Sequence, residues 1–169
     1  PVNDNDPVIT SANTANVAEN PTTVLTVTAT DADLPAQTLS YSITGGADQG
    51  KFSINATTGD LTFSAAPDYE NPMDADTNNI YVVQVTANDG AGRTANQTIN
   101  VTVTPVNDND PVITSANTVN VAENSTSVLT VTATDADLPA QTLSYSITGG
   151  ADQAKFTINA GTGALTFSA

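Results

Sequence analysis

The acidic residues of this chain stand in short patterned groups rather than singly. Asn3-Asp4-Asn5-Asp6-Pro7 returns as Asn107-Asp108-Asn109-Asp110-Pro111. Asp31-Ala32-Asp33 returns as Asp135-Ala136-Asp137, and Ala18-Glu19-Asn20 as Ala122-Glu123-Asn124. Asp68-Tyr69-Glu70 and Asn88-Asp89-Gly90 occur once each. Carboxylates, amide oxygens and backbone carbonyls are the ligands of a hard cation, and calcium takes six to eight of them. An Asp-x-Asp in an extended loop aims two carboxylates to one side. The chain contains no His and no Cys, which removes the usual ligands of zinc and copper. Magnesium keeps its waters and fits a crowded all-protein cage poorly, so calcium is the expected cofactor.

The same residues argue against catalysis. Without His, Cys or a basic cluster there is no nucleophile–base pair and no anion clamp. Asp68 and Glu70 would suit a glycosidase pair only beside an aromatic sugar platform, and the chain has no Trp. The expectation is a protein that is not an enzyme. Asp74-Ala75-Asp76-Thr77-Asn78 opens like an EF-hand loop but lacks the Gly and Glu that such a loop needs downstream. Asp48, Asp60 and Asp152 are expected simply to face solvent. Asn55, Asn96, Asn100 and Asn124 head Asn-x-Thr triplets, which arise by chance in a chain so rich in Asn and Thr.

The elements that must position these groups are strands. Residues 1–65 reappear at 105–169, an offset of 104, with seven substitutions that include Pro21 to Ser125 and Asp60 to Ala164. A period near 100 residues suits one β-sandwich per repeat. Period-two alternation marks Val24–Thr30, Leu39–Ile43, Leu61–Phe63, Tyr81–Ala87 and Ile99–Val103 as strands. Shorter strands are expected at Val8–Thr10, Asn16–Ala18 and Phe52–Ile54. Gly45-Gly46, Thr58-Gly59 and Asp89-Gly90 read as turns. No window carries helical periodicity. The fold class is therefore all-β, tandem Greek-key sandwiches of about seven strands, with the second one partial. The expected division is a partial linker at 1–6, a complete repeat at 7–104, a linker at 105–111 and a partial repeat at 112–169. The partial repeat has no counterpart of the last two strands, so they would come from a longer parent chain or from another chain.

Eighteen acidic residues against three basic ones give a net charge of −15. That argues against nucleic acid and anionic membrane surfaces as partners. No apolar run is long enough to span a bilayer, so direct membrane insertion is not expected. A small core without disulfides needs another staple, and a bound cation supplies one.

Taken in order and spacing, Ala-Glu-Asn, Asp-Ala-Asp, Asp-Tyr-Glu, Asn-Asp-Gly and Asn-Asp-Asn-Asp-Pro resemble the cadherin repeat across the whole first copy and as much of the second as exists. The lack of cysteine, the Thr-rich strands and the near-identical copies look like the cadherin-type repeats of large bacterial surface adhesins. The resemblance implies calcium ions between successive repeats of an extracellular or cell-surface array. Glu19, Asp68 and Glu70 would hold a first ion with Asp108. A second would share Glu19, Glu70 and Asp108 with Asp137 and the Val106 carbonyl. A third would use Asn107, the Asn109 carbonyl, Asp135 and Asp137. Pro105 stands where many cadherins have a linker acid, and the counterpart of Asp89 falls past Ala169, so the third ion lacks a ligand. Asn3, Asn5, Asp31, Asp33 and Asp89 would form the lower half of a preceding junction. Glu123, without companions, is expected to be empty. The implied role is a calcium-stiffened extension module whose partners are neighbouring repeats. The alternative is an adhesive surface that recognises another copy of the chain or a cell-surface glycan.

Overall fold

The computed structural model describes residues 2–168 and divides into two units, Pro1–Val106 and Asn107–Ala169. Among the described residues, unit 1 holds nine strands. They are β1 (Val8–Ile9), β2 (Thr14–Ala18), β3 (Thr23–Thr26), β4 (Ala29–Thr30), β5 (Ser40–Gly45), β6 (Phe52–Ile54), β7 (Asp60–Phe63), β8 (Ile80–Asn88) and β9 (Thr94–Thr104). One sheet runs β2-β9-β8-β5, a second runs β3-β7-β6, and β1 pairs with β4.

The alternation read from the sequence becomes the inward face of these sheets. Along β8, Tyr81, Val83, Val85 and Ala87 are buried, and along β9 Ile99, Val101 and Val103 are buried. They form one core with Val17, Val27, Phe52, Leu61 and Phe63, against which Leu25 and Tyr41 pack. Phe52 stacks on Phe63 with centroids 4.6 Å apart, and Tyr81 meets Phe63 edge-on at 5.1 Å. Such pairs add about 0.5–1.5 kcal/mol beyond the area they bury.

One expectation is corrected. Val24–Thr30 is not one strand: β3 pairs with β7, the chain leaves that sheet at Val27-Thr28, and β4 pairs with β1. The Val27 amide donates to Gly59 O (2.8 Å), and the Ala29 amide donates to the Tyr41 hydroxyl (3.1 Å) at this crossing. Gly59 has φ 77°, and a Cβ there would collide with the Val27 carbonyl, so both backbone conformation and space require glycine. A 3-10 turn at Gln49–Lys51, repeated at Gln153–Lys155, is too short to leave a periodic signal.

Unit 2 contains β10 (Val112–Ile113), β11 (Ser127–Thr130), β12 (Ala133–Thr134), β13 (Phe156–Ile158) and β14 (Ala164–Phe167). β10 pairs with β12, and β11-β14-β13 form a sheet in the same register as β3-β7-β6. Thr118–Ala122, the counterpart of β2 with Val119 in place of Ala15, and Ser144–Gly149, which repeats the sequence of β5, form no strand here. The cover differs accordingly. Phe63 is 4% exposed and Phe167 38%, although both end the same Leu-Thr-Phe strand.

Candidate metal centre

Among the described residues, these elements gather three sets of candidate oxygen ligands, two in unit 1 and one in unit 2. The first gathers where β2 ends. Glu19 follows Ala18 directly, and its amide donates to Thr104 O (3.0 Å) at the end of β9. Its carboxylate is only 2% exposed. Oε2 accepts from the Tyr69 amide and Oε1 from the Val106 amide, each at 2.7 Å. One side chain thus ties Asp68-Tyr69-Glu70 to the chain that leaves β9. Asn20, with φ 77°, turns the chain so that its amide donates to Pro67 O (3.0 Å). Carboxylate oxygens of Glu19 and Glu70 lie within 4.8 Å of each other. Asp68 is exposed, and its Oδ1 accepts from the Asn71 amide (3.0 Å).

The second set lies at the opposite end of unit 1, where β4 and β8 deliver their acids. The Asp33 amide donates to Asp31 Oδ1 (2.8 Å). Asp33 accepts from the Asn5 amide (3.1 Å), from Asn5 Nδ2 (2.6 Å) and from the Asp4 amide (3.4 Å). Asp89 accepts from the Ala91 amide (2.8 Å), the Arg93 amide (3.0 Å) and Asn3 Nδ2 (2.8 Å). Asp33 and Asp89 are each 4% exposed.

The third set repeats this pattern in unit 2. The Asp137 amide donates to Asp135 Oδ1 (3.0 Å), and Asp137 accepts from the Asn109 amide (3.1 Å), Asn109 Nδ2 (2.8 Å) and the Asp108 amide (3.4 Å). Asn107 Nδ2 donates to Gln141 Oε1 (2.9 Å). Glu123, the repeat partner of Glu19, is exposed.

The electrostatics follow from these donors. The Asn5 side chain lowers the Asp33 pKa below the ordinary 3.8, against a smaller opposing effect of burial. Asn109 does the same for Asp137. At Asp89 burial is the largest influence and acts upward, but the Ala91 and Arg93 amides and Asn3 together outweigh it, and the net shift is downward. A depressed carboxylate stabilises the fold above its unfolded pKa, and that contribution is lost as pH falls through the folded value. In chelator, protection of the Asn5 and Asn109 amides should therefore hold level from neutral pH to about 4. It should collapse only below 3.8, as read by hydrogen exchange along an acid titration. Loss of protection already between pH 5 and 6 would contradict the assigned bonds.

The donor set suits calcium. It is all oxygen, and Asp31 Oδ2 is buried without a hydrogen-bond partner beside Asp33. A buried bare carboxylate oxygen costs free energy unless a cation or donor meets it.

Several residues take structural parts that the sequence reading did not give them. Asp48 was expected in solvent but is 4% exposed, and it caps two backbone amides, of Ala75 and of Val82, each at 2.7 Å. Asp74 of the EF-hand-like stretch is likewise buried, and its carboxylate accepts from the Asn78 (2.8 Å) and Asn79 (3.3 Å) amides. Its closeness raises the pKa of Asp76. Arg93 pairs with Asp6 at 2.8 Å. Buried acids in loops and a single cation leave no periodic trace, so pattern reading passes over them.

The family model described as "Cadherin domain" matches residues 13–104 and 117–169. Human Protocadherin Fat 1 is 36% identical over 170 residues, covering 94% of this chain and 4% of that protein. The crystal structure of mouse Cadherin-23 EC22-24 is 31% identical with a TM-score of 0.66, covering 98% of this chain and 55% of that one. The structure titled Protocadherin Gamma B2 extracellular cadherin domains 3-6 is 28% identical with a TM-score of 0.69, covering 99% and 44%. The chain thus spans a small fraction of the length of the full-length relative. Fat 1 and Cadherin-23 come from animals, so the likeness to bacterial adhesins draws no support from them. With its family model matched in both units, the chain belongs to the cadherin family.

Proposed function

We propose that this chain is a calcium-dependent structural and adhesive module of an extracellular repeat array, in which calcium stiffens the junction between successive repeats. The repeats are 7–104 and 112–169, and the linker is 105–111. The observation that carries this reading is the Glu19 carboxylate, buried at 2% exposure and bound to the amides of both Tyr69 and Val106. It fixes the chain leaving β9 beside Glu70. Asp108 lies two residues past Val106, so its Cα is at most about 7.6 Å from that of Val106. Its carboxylate is therefore within covalent reach of the Glu19–Glu70 pair.

Glu19, Asp68, Glu70 and Asp108 would hold a first ion. Glu19, Glu70, Asp108, Asp137 and the Val106 carbonyl would hold a second. Asn107, the Asn109 carbonyl, Asp135 and Asp137 would hold a third. Asn3, Asn5, Asp31, Asp33 and Asp89 would serve an ion shared with a preceding repeat. Bound calcium supplies positive charge that cancels carboxylate repulsion, which at 4 Å is about 4 kcal/mol per pair at an effective dielectric of 20. The protein's part is to hold the oxygens in place before the ion arrives.

Extracellular placement agrees with the relative titled as extracellular cadherin domains, and among the described residues no helix is long and apolar enough to cross a membrane. The glycan partner draws no support from these relatives. The test is small-angle scattering of the whole chain across a calcium titration. The expected result is a smaller spread of inter-repeat distances in calcium, with the core signals of unit 1 unchanged. Equal spread in calcium and in chelator would refute the stiffening role.

A further inference from the structure

Arg93 belongs to none of the ligand sets, yet it stands at the one in residues 3–89. Its guanidinium makes two contacts with the segment that carries Asn3 and Asn5. Nε donates to Asn3 O at 3.2 Å, and Nη1 pairs with Asp6 Oδ1 at 2.8 Å. Its backbone faces the other way. The Arg93 amide donates to Asp89 Oδ1 (3.0 Å), and the Asp89 amide donates to Arg93 O (3.2 Å), which closes the turn after β8. Asn3 Nδ2 completes the interlock with Asp89 Oδ2 (2.8 Å) and Ala91 O (3.3 Å).

We propose that Arg93 is a positioning residue for calcium. Its guanidinium clasps residues 3–6 onto the Asp89–Arg93 turn, so that Asn3 and Asn5 already sit beside Asp31, Asp33 and Asp89 when the ion binds. The proposal rests on the calcium reading of those same residues. Two effects oppose each other. A positive charge near a cation site weakens binding. A linker held before binding spares the ion the entropic cost of ordering it. The ion pair is open to solvent, with the Arg93 side chain 37% and the Asp6 side chain 65% exposed, so water and salt screen its charge. The geometric contacts persist under that screening, and the ordering effect dominates. A guanidinium suits the task because its rigid fork reaches a carbonyl and a carboxylate at once, whereas a lysine ammonium is a point charge.

The test compares the intact chain with Arg93→Ala and Arg93→Lys by NMR. In chelator, exchange of the Asp4 and Asn5 amides should quicken at least about tenfold in Arg93→Ala. The Asp108 and Asn109 amides, which have the same sequence context but bond to Asp137, should not change. Unmoved Tyr81 and Val83 resonances report an intact core. Arg93→Lys should restore less than half of the lost protection. In a calcium titration followed at Asp31 and Asp33, Arg93→Ala should bind at least threefold more weakly. Unchanged Asp4 and Asn5 exchange, full rescue by lysine, or calcium binding as tight as or tighter than wild type would each overturn the clasp. If the wild type shows no calcium response at Asp31 and Asp33, the calcium reading fails, while the exchange comparison still decides what Arg93 does to the linker.

Discussion

Replacing Asp108 by alanine is expected to raise the calcium concentration needed to stiffen the chain at least tenfold, with Asp60→Ala as a silent control. The Asp108 carboxylate is proposed to serve two ions and lies in the linker itself. Its loss removes one negative charge from both sites while Glu19 stays fixed by the Tyr69 and Val106 amides. Tenfold corresponds to about 1.4 kcal/mol, which is modest for a charged ligand shared between two cations. Asp60 has a different occupation. It is exposed and accepts the hydroxyls of Thr26 (2.7 Å) and Thr58 (2.6 Å) on the surface of β7. The second copy already carries Ala164 there. Calcium midpoints from residual dipolar couplings of the two variants would settle the comparison, and coincident midpoints would remove Asp108 from the site.

The second large effect needs no substitution, because the chain holds its own control. The Val27 amide donates to Gly59 O, and the Val131 amide donates to Gly163 O, both at 2.8 Å. Phe63 and Phe167 repeat the match, donating to Thr22 O (2.7 Å) and Thr126 O (2.8 Å). The bonds are equal, but their cover is not. Val27 and Leu61 are fully buried under β8 and β9, whereas Val131 and Leu165 are only partly buried and Phe167 is 38% exposed. Each fully buried aliphatic or aromatic side chain is worth about 1.5–3 kcal/mol. Two or three such differences should make Val131 and Phe167 exchange on the order of a thousandfold faster than Val27 and Phe63. Native-state hydrogen exchange measures all four amides in one sample. Rates equal within a factor of ten would mean that the local β3-β7-β6 type of sheet is stable without the larger sheet packed on it.

The faces of β8 and β9 were legible because alternation is a direct record of which side chains meet the core. The break between β3 and β4 was not, since Leu25, Val27 and Ala29 keep alternating while the backbone changes sheets. The cause sits some thirty residues away, at Gly59, whose close approach to Val27 no local pattern records. The proposed ligand sets were read as residue types in order. The structure adds how the acids are held: Glu19, Asp33 and Asp137 each grip backbone amides, and Asn5 and Asn109 offer their Nδ2 groups to the aspartates. Asp48 shows the limit of reading acids as surface decoration, because burial depends on what folds over a residue. Arg93 was one of only three basic residues, and its value lies in reaching Asn3 and Asp6, nearly ninety positions earlier in the chain.

The pairing of β2 with β9 is parallel, from Thr14 beside Asn100 to Ala18 beside Thr104. A load applied between residues before Thr14 and residues after Thr104 therefore pulls these two strands along their length in opposite directions. The bonds between them are strained together instead of opening one after another from an end. Glu19 lies just past this seam and holds Val106, so the carboxylate proposed as a calcium ligand also fastens the last stretch of the loaded strand. A string built from such units would resist tension by shearing rather than by peeling, and under the proposed calcium role its joints would slacken in chelator well before its sandwiches gave way.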